Sequence, residues 1–155
     1  MIGLHLATRP GVRAVIGLGI KVAWSAEELA RAAALAGREP STFGTREQAV
    51  ARYLRVAGLD GLVDPAVDAG VAQADGGWRT ALDPRAFGVG DPRVADLLAA
   101  ARVPVVLARG EHDAMVSNEQ LAALVPGPVE LAGLGHNAHV EDPAALLPLV
   151  APHLD

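Results

Sequence analysis

The pattern of hydrophobic and polar positions contains three mainly apolar runs, at 12–20, 103–108 and 129–132. Runs of this length without alternation are typical of strands that are covered on both faces. A glycine-bearing loop and then a helical pattern follow each of the last two runs. Because alternation of strand and helix is typical of a parallel sheet with crossover connections, the pattern predicts an α/β fold.

Helix starts are marked by capping residues that have a suitable partner three positions later. Such a side chain accepts a hydrogen bond from the first turn, and the partner can return one. Three pairs predict helix starts: Ser25 with Glu28, Thr45 with Gln48, and Ser117 with Gln120. Asp91-Pro92 and Asp142-Pro143 predict two more helices, near 92–101 and 143–154, because proline suits the first helical position. Pro148 should bend or shorten the last of these.

The middle of the chain has a different pattern. Between Lys21 and about Arg102 we find helical patterns and turn-rich joints such as Gly76-Gly77, and no strand is predicted there. With 155 residues the chain has the usual length of one domain. We therefore expect a single partial domain over 1–155 that carries a helical insertion at 25–90.

Composition excludes several classes of function. The net charge is −5 and Lys21 is the single lysine, so a basic face for nucleic acid is not expected. No apolar run reaches the length of a membrane span, and the N-terminus does not resemble a signal peptide. Without cysteine, disulfides and thiolate chemistry are excluded. A cytoplasmic protein is the default expectation.

Two polar side chains occupy equivalent places after neighbouring strands. Asp113 follows the strand at 103–108, and His136 lies about as far beyond the strand at 129–132. The loops at the carboxyl ends of parallel strands meet at one edge of the sheet, where such folds bind ligands. We therefore expect the two side chains within about 2.6–3.2 Å of each other, as a carboxylate that orients a histidine base.

The segments around these residues resemble a known family. PVVLARGEHD at 104–113 and GLGHNAHVEDP at 133–143 resemble the last two strand-plus-loop units of the α/β-hydrolase superfamily. By this resemblance Asp113 matches the acid of the family and His136 its catalytic histidine. Residues 1–24 resemble the end of the helix after the nucleophile elbow plus the sixth strand, and 25–90 take the place of the helical cap. The resemblance implies a hydrolase for an ester or similar small organic substrate, with no cofactor.

The nucleophile of that family has no counterpart in this sequence. It sits in a Gly-x-Ser-x-Gly elbow, and a neighbouring N–H forms part of the oxyanion hole. Ser25, Ser41 and Ser117 lack the glycine neighbours and are explained as caps or loop residues. A serine, an aspartate or another nucleophile therefore has to come from elsewhere, and we expect the isolated chain to be inactive. An open sheet edge also predicts pairing, either with an N-terminal half or with a second copy.

Two alternative readings remain open. A non-catalytic remnant or interaction module would also lack a nucleophile. A metal site built from His136, His139 and Glu141 near His112 is less consistent with the sequence, because HNAHVE lacks the i, i+4 histidine pair and has no helical signal. We expect no metal, and we expect His139 and Glu141 to orient the loop.

Overall fold

The computed structural model describes residues 1–66 and 70–154. It divides into two compact units. The sheet unit comprises Met1–Trp24 and the chain from Pro92 onward, and the inserted unit comprises Ser25–Asp91. None of the helices in the described ranges has the length and apolar character needed to cross a membrane.

The described residues form five strands, seven α-helices and three 3₁₀ turns. The strands are β1 (Val15–Leu18), β2 (Val71–Ala74), β3 (Gly77–Thr80), β4 (Val105–Gly110) and β5 (Val129–Leu131). The helices are α1 (Ile2–Leu6), α2 (Ala26–Ala36), α3 (Arg46–Val56), α4 (Val94–Ala100), α5 (Asn118–Ala122), α6 (Ala138–Glu141) and α7 (Leu147–Val150). The 3₁₀ turns are Pro84–Val89, Pro143–Leu146 and Ala151–His153.

All three apolar runs form strands, and they pair in parallel in the order β1–β4–β5. Val15 lies opposite Val105, and Ala108 lies opposite Val129. Successive residues of the central strand point to opposite faces. Ala108 packs with Leu131, while Leu107 belongs to a second cluster on the other face. The predicted parallel α/β sheet with cover on both faces of its central strand is confirmed.

The capping pairs also form as predicted. Ser25 and Glu28 make a complete capping box at the start of α2, and Ser117 and Gln120 do so at α5. At α3, the Thr45 hydroxyl accepts the Gln48 N–H at 3.3 Å. These bonds satisfy N–H groups that have no partner within the helix.

Ser117→Ala should lower the free energy of unfolding by about 1 kcal/mol, because the N–H of Gln120 loses its acceptor. Urea denaturation of the chain measures this. Ser41→Ala is the matched control, since Ser41 is exposed and lies outside the helices. Equal losses in the two variants would contradict a capping role.

The expectation of no strand between Lys21 and Arg102 is wrong. β2 and β3 form an antiparallel hairpin in which Ala74 lies opposite Gly77, and Phe43 bridges to Trp78 beside it. The turn between them is Asp75-Gly76, where Gly76 has φ of +80°. An Asp-Gly pair between strand-like segments is a strong hairpin signal, and the four-residue strands hid it.

Three helix boundaries also differ from expectation. α4 begins at Val94 because Arg93 has φ of +46°, which a right-handed helix does not accommodate, so Asp91 does not cap it. The helix expected near 143–154 is broken into a 3₁₀ turn, α7 and another 3₁₀ turn, as Pro148 suggested. HNAHVE, expected to lack helix, contains the single turn α6.

Candidate active site

The candidate site lies where β4 and β5 end. We call residues 111–116 the acid loop and 132–137 the histidine loop. Nδ1 of His136 lies 3.1 Å from both carboxylate oxygens of Asp113. The Asp113 side chain is fully buried, whereas that of His136 is 44% exposed. The structure thus brings the two predicted residues together at the expected distance.

The contacts of Asp113 determine how the histidine is oriented. Oδ1 of Asp113 also accepts the N–H of Met115 at 2.8 Å, so the carboxylate is held from its own loop. An ionised carboxylate only accepts hydrogen bonds, and the proton of a neutral His136 ring therefore belongs on Nδ1. Nε2 is left to face away from Asp113 as the basic nitrogen, which is the arrangement that general-base catalysis requires.

Gly19, just beyond β1, lies directly beside the Asp113–His136 pair. Its N–H donates to the carbonyl of Ala108 at 2.8 Å, and its φ is +59°. A Cβ atom here would lie 3.1 Å from Oδ2 of Asp113 and 3.2 Å from Nδ1 of His136. Only glycine therefore allows the β1 end to approach the pair this closely without strain.

Hydrogen bonds join the acid loop to the histidine loop. The N–H of His112 donates to the carbonyl of Leu134 in the histidine loop, and that of Glu111 donates to the carbonyl of Leu131 at the end of β5, both at 2.9 Å. In return, the carboxylate of Glu111 accepts the N–H of Gly133 at 2.7 Å. Because the bonds run in both directions, the two loops hold each other in register.

Two further residues hold the histidine loop. The carboxylate of Glu141 accepts the N–H of Gly135 at 2.7 Å, so it does contact the loop as expected. Gly110 ends β4 directly against the carbonyl groups of Leu134 and Gly135, with no room for a Cβ atom. The backbone of the histidine loop thus packs on the backbone of the strand.

A cleft of about 400 Å³ lies beside the pair. Its walls are α1, β1 and the histidine loop, through Met1, Gly3, Leu4, Val15, Ile16, Gly17, Leu18, Gly19, Ile20, His136, Asn137 and His139. None of these side chains carries a hydroxyl or a thiol. The cleft thus offers a base and an apolar wall, and it offers no nucleophile of its own.

One carboxyl group near the acid loop, that of Glu119, has a lowered pKa. In the first turn of α5, the Ser117 hydroxyl and the N–H of Glu119 hold the pKa of the Glu119 carboxyl below its usual value, and Arg109 adds a smaller effect.

Within residues 1–66 and 70–154 there is no group of three or more His, Cys, Asp or Glu side chains placed to hold a metal ion. His112 is exposed, while His139 is exposed and borders the cleft.

Sequence reasoning missed Arg109, Gly19 and Gly110. Arg109 interrupts an otherwise apolar strand, which is a visible signal for a special role. The two glycines follow apolar strands, where close approach of another backbone is one reason for glycine. None of these signals identifies what the residue touches.

This architecture is part of the α/β-hydrolase fold, and several of the solved structures that it matches are named as hydrolases or esterases. One is E-2-(acetamidomethylene)succinate hydrolase, with a TM-score of 0.70 and 20% identity over 98% of this chain and 62% of that one. A novel esterase from Mycobacterium tuberculosis has a TM-score of 0.67 and 21% identity over 99% of this chain and 57% of that one. The thioesterase domain from the curacin biosynthetic pathway has a TM-score of 0.66 and 18% identity over 97% of this chain and 62% of that one.

The chain thus spans between 57% and 62% of the length of these three structures. At these identities the likeness concerns the fold. No family model matches the chain, and no curated protein matches it.

Proposed function

We propose that this chain supplies the acid and the base of a nucleophile–His–Asp triad in a hydrolase for an ester or similar small organic substrate. The observation that carries the proposal is the 3.1 Å contact between Asp113 and Nδ1 of His136. The names of the matched structures support the reaction class, since they include an esterase, a thioesterase and an enol-lactonase.

When the nucleophile is a serine, Nε2 of His136 takes the hydroxyl proton as the oxygen attacks the substrate carbonyl. Asp113 keeps the ring in the required tautomer and stabilises the imidazolium that forms. The same nitrogen then returns the proton to the leaving group. Because the Asp113 side chain is fully buried, water does not compete with it for the ring N–H.

The nucleophile comes from a polypeptide segment outside this sequence. We propose the cleft as its place, because both His136 and β1 line the cleft. Among the described residues β1 pairs with β4 alone, so the other edge of β1 is open to a further strand. In this proposal the inserted unit takes the part of the cap. We call the chain together with a nucleophile-bearing segment the completed hydrolase.

The test begins with the coding sequence directly upstream. We expect it to encode a strand followed by Gly-x-Ser-x-Gly or its aspartate version. Expression of the completed hydrolase should then give saturable hydrolysis of p-nitrophenyl esters that is lost in His136→Ala. Absence of such a segment, or no hydrolysis by the completed protein, favours the non-catalytic interaction module instead.

The chain on its own should hydrolyse p-nitrophenyl acetate no faster than free imidazole does. A histidine–carboxylate pair without a nucleophile and an oxyanion hole lacks the parts that cooperate in the transition state. Spectrophotometric release of p-nitrophenol measures the rate. A saturable rate that disappears in His136→Ala would show that the chain contains its own nucleophile.

A further inference from the structure

Arg109 is a charged residue in the apolar central strand. Among the described residues, the buried charged side chains are Arg109, at 8% exposure, and Asp113, at 4%. They lie four positions apart at the edge where β4 ends. Burial of a guanidinium group is costly unless its N–H groups are bonded, so its bonding partners indicate its role.

The guanidinium of Arg109 binds three backbone carbonyls that flank or belong to the acid residue. Nη2 donates to the carbonyl of Glu111 at 3.0 Å and to that of Asp113 at 2.8 Å. Nε donates to the carbonyl of Val116 at 2.8 Å. On the outer side, Nη1 donates to the carboxylate of Glu130 at 2.5 Å. One planar group thus holds the beginning, the middle and the end of the acid loop.

We infer that Arg109 is a positioning residue for the Asp113–His136 pair, an inference that rests on the proposed function. The bond to the carbonyl of Asp113 fixes the backbone from which the carboxylate extends. The bonds to Glu111 and Val116 fix the loop on either side of it. The acid loop is thereby held in one conformation, in which the carboxylate contacts Nδ1 of His136. Supporting residues preorganise a site in this way.

Lysine is unable to replace arginine in this role. A guanidinium has five N–H donors spread over a rigid plane, and the four acceptors lie around that plane. An ammonium group has three donors on a single atom, so it can keep the ion pair with Glu130 but not all three carbonyls. Arg109→Lys therefore keeps the positive charge and removes the planar set of N–H donors, which separates the two effects.

The readout is the tautomer of His136. With Asp113 in place the neutral ring carries its proton on Nδ1, and without that acceptor it is free to carry the proton on Nε2. Magic-angle-spinning NMR of the ¹⁵N-histidine-labelled chain at alkaline pH distinguishes the two forms in any oligomeric state. The His136 signal is assigned by its loss in His136→Gln.

We expect Arg109→Lys to increase the Nε2–H fraction of His136 at least about threefold, as the carboxylate is no longer held in place. Glu130→Gln is the matched control, because the amide oxygen of the glutamine still accepts from Nη1 of Arg109 and the three bonds to carbonyls stay intact. The tautomer of His136 in this variant should match that in the original chain. The double variant Arg109→Met with Glu130→Leu removes both members of the ion pair together, so that neither charge is left without its partner. It should show the same rise as Arg109→Lys.

Circular dichroism establishes which variants fold. An unchanged tautomer in the folded Arg109 variants overturns the inference, and so does an equal rise in Glu130→Gln. If neither Arg109 variant folds, Arg109 is a requirement of the fold itself and the positioning role is rejected. The tautomer is measured without nucleophile or substrate. Failure of the completed hydrolase to act on esters therefore rejects the proposed function alone, while an unaffected tautomer rejects the role of Arg109 alone.

Discussion

Asp113→Asn should lower the kcat of the completed hydrolase by roughly 10⁴-fold, which corresponds to about 5 kcal/mol in activation free energy. The carboxylate contacts Nδ1 of His136 and has no exposed side-chain surface, so water is unable to take over its role. An asparagine at this position can offer its NH₂ group to Nδ1 and so favour the proton on Nε2. That tautomer is unable to accept a proton from the nucleophile.

Steady-state kinetics with p-nitrophenyl esters measure this effect, and KM should change much less than kcat. His112→Gln is the matched control, because it lies next to Asp113 in the acid loop but its side chain is exposed. Its kcat should stay close to that of the original protein. If Asp113→Asn keeps more than about a tenth of the activity, the pair is not the acid–base machinery of the enzyme.

Gly110→Ala should have the largest effect on stability among single-atom additions at the site. The added Cβ atom would overlap the carbonyl groups of Leu134 and Gly135, which are backbone atoms and do not rotate away as a side chain would. The end of β4 and the histidine loop must therefore separate. We expect a loss of about 3 kcal/mol in the free energy of unfolding, the upper range for overpacking.

Thermal and urea unfolding followed by circular dichroism measure that loss. Gly44→Ala adds the same atom where the nearest contact is Oε1 of Gln48 at 3.8 Å, and it should leave the transition nearly unchanged. A transition for Gly110→Ala that matches the Gly44→Ala control would mean that the loop relaxes at little cost. The close packing of strand on loop would then not be a determinant of stability.

Local features of this chain were predictable because their causes are local. A serine hydroxyl caps a helix through residues three positions away, so Ser25 and Ser117 mark α2 and α5 directly. The proximity of Asp113 and His136 was also predictable, since parallel strands place their following loops at one edge. That step needed the order of the strands and no detail of their packing.

Short elements with weak patterns were not predictable in the same way. β2 and β3 are four residues each, and most of their side chains are half-buried, so neither shows a clear alternation. Because of the left-handed conformation of Arg93, α4 begins only at Val94, although Asp91-Pro92 predicted an earlier start. At α4 the backbone conformation of one residue thus outweighs the local signal for a helix start.

The sequence by itself determined the parallel α/β class, the starts of α2, α3 and α5, and the two residues that carry the candidate chemistry. Only the tertiary structure decided what holds those residues in place. Arg109 bonds to Val116 at the far end of the acid loop, Gly19 approaches Asp113 from just beyond β1, and Gly110 packs against the histidine loop. Periodicity reports which face of an element is buried, but these contacts depend on strand register and loop shape, which arise when distant segments pack together.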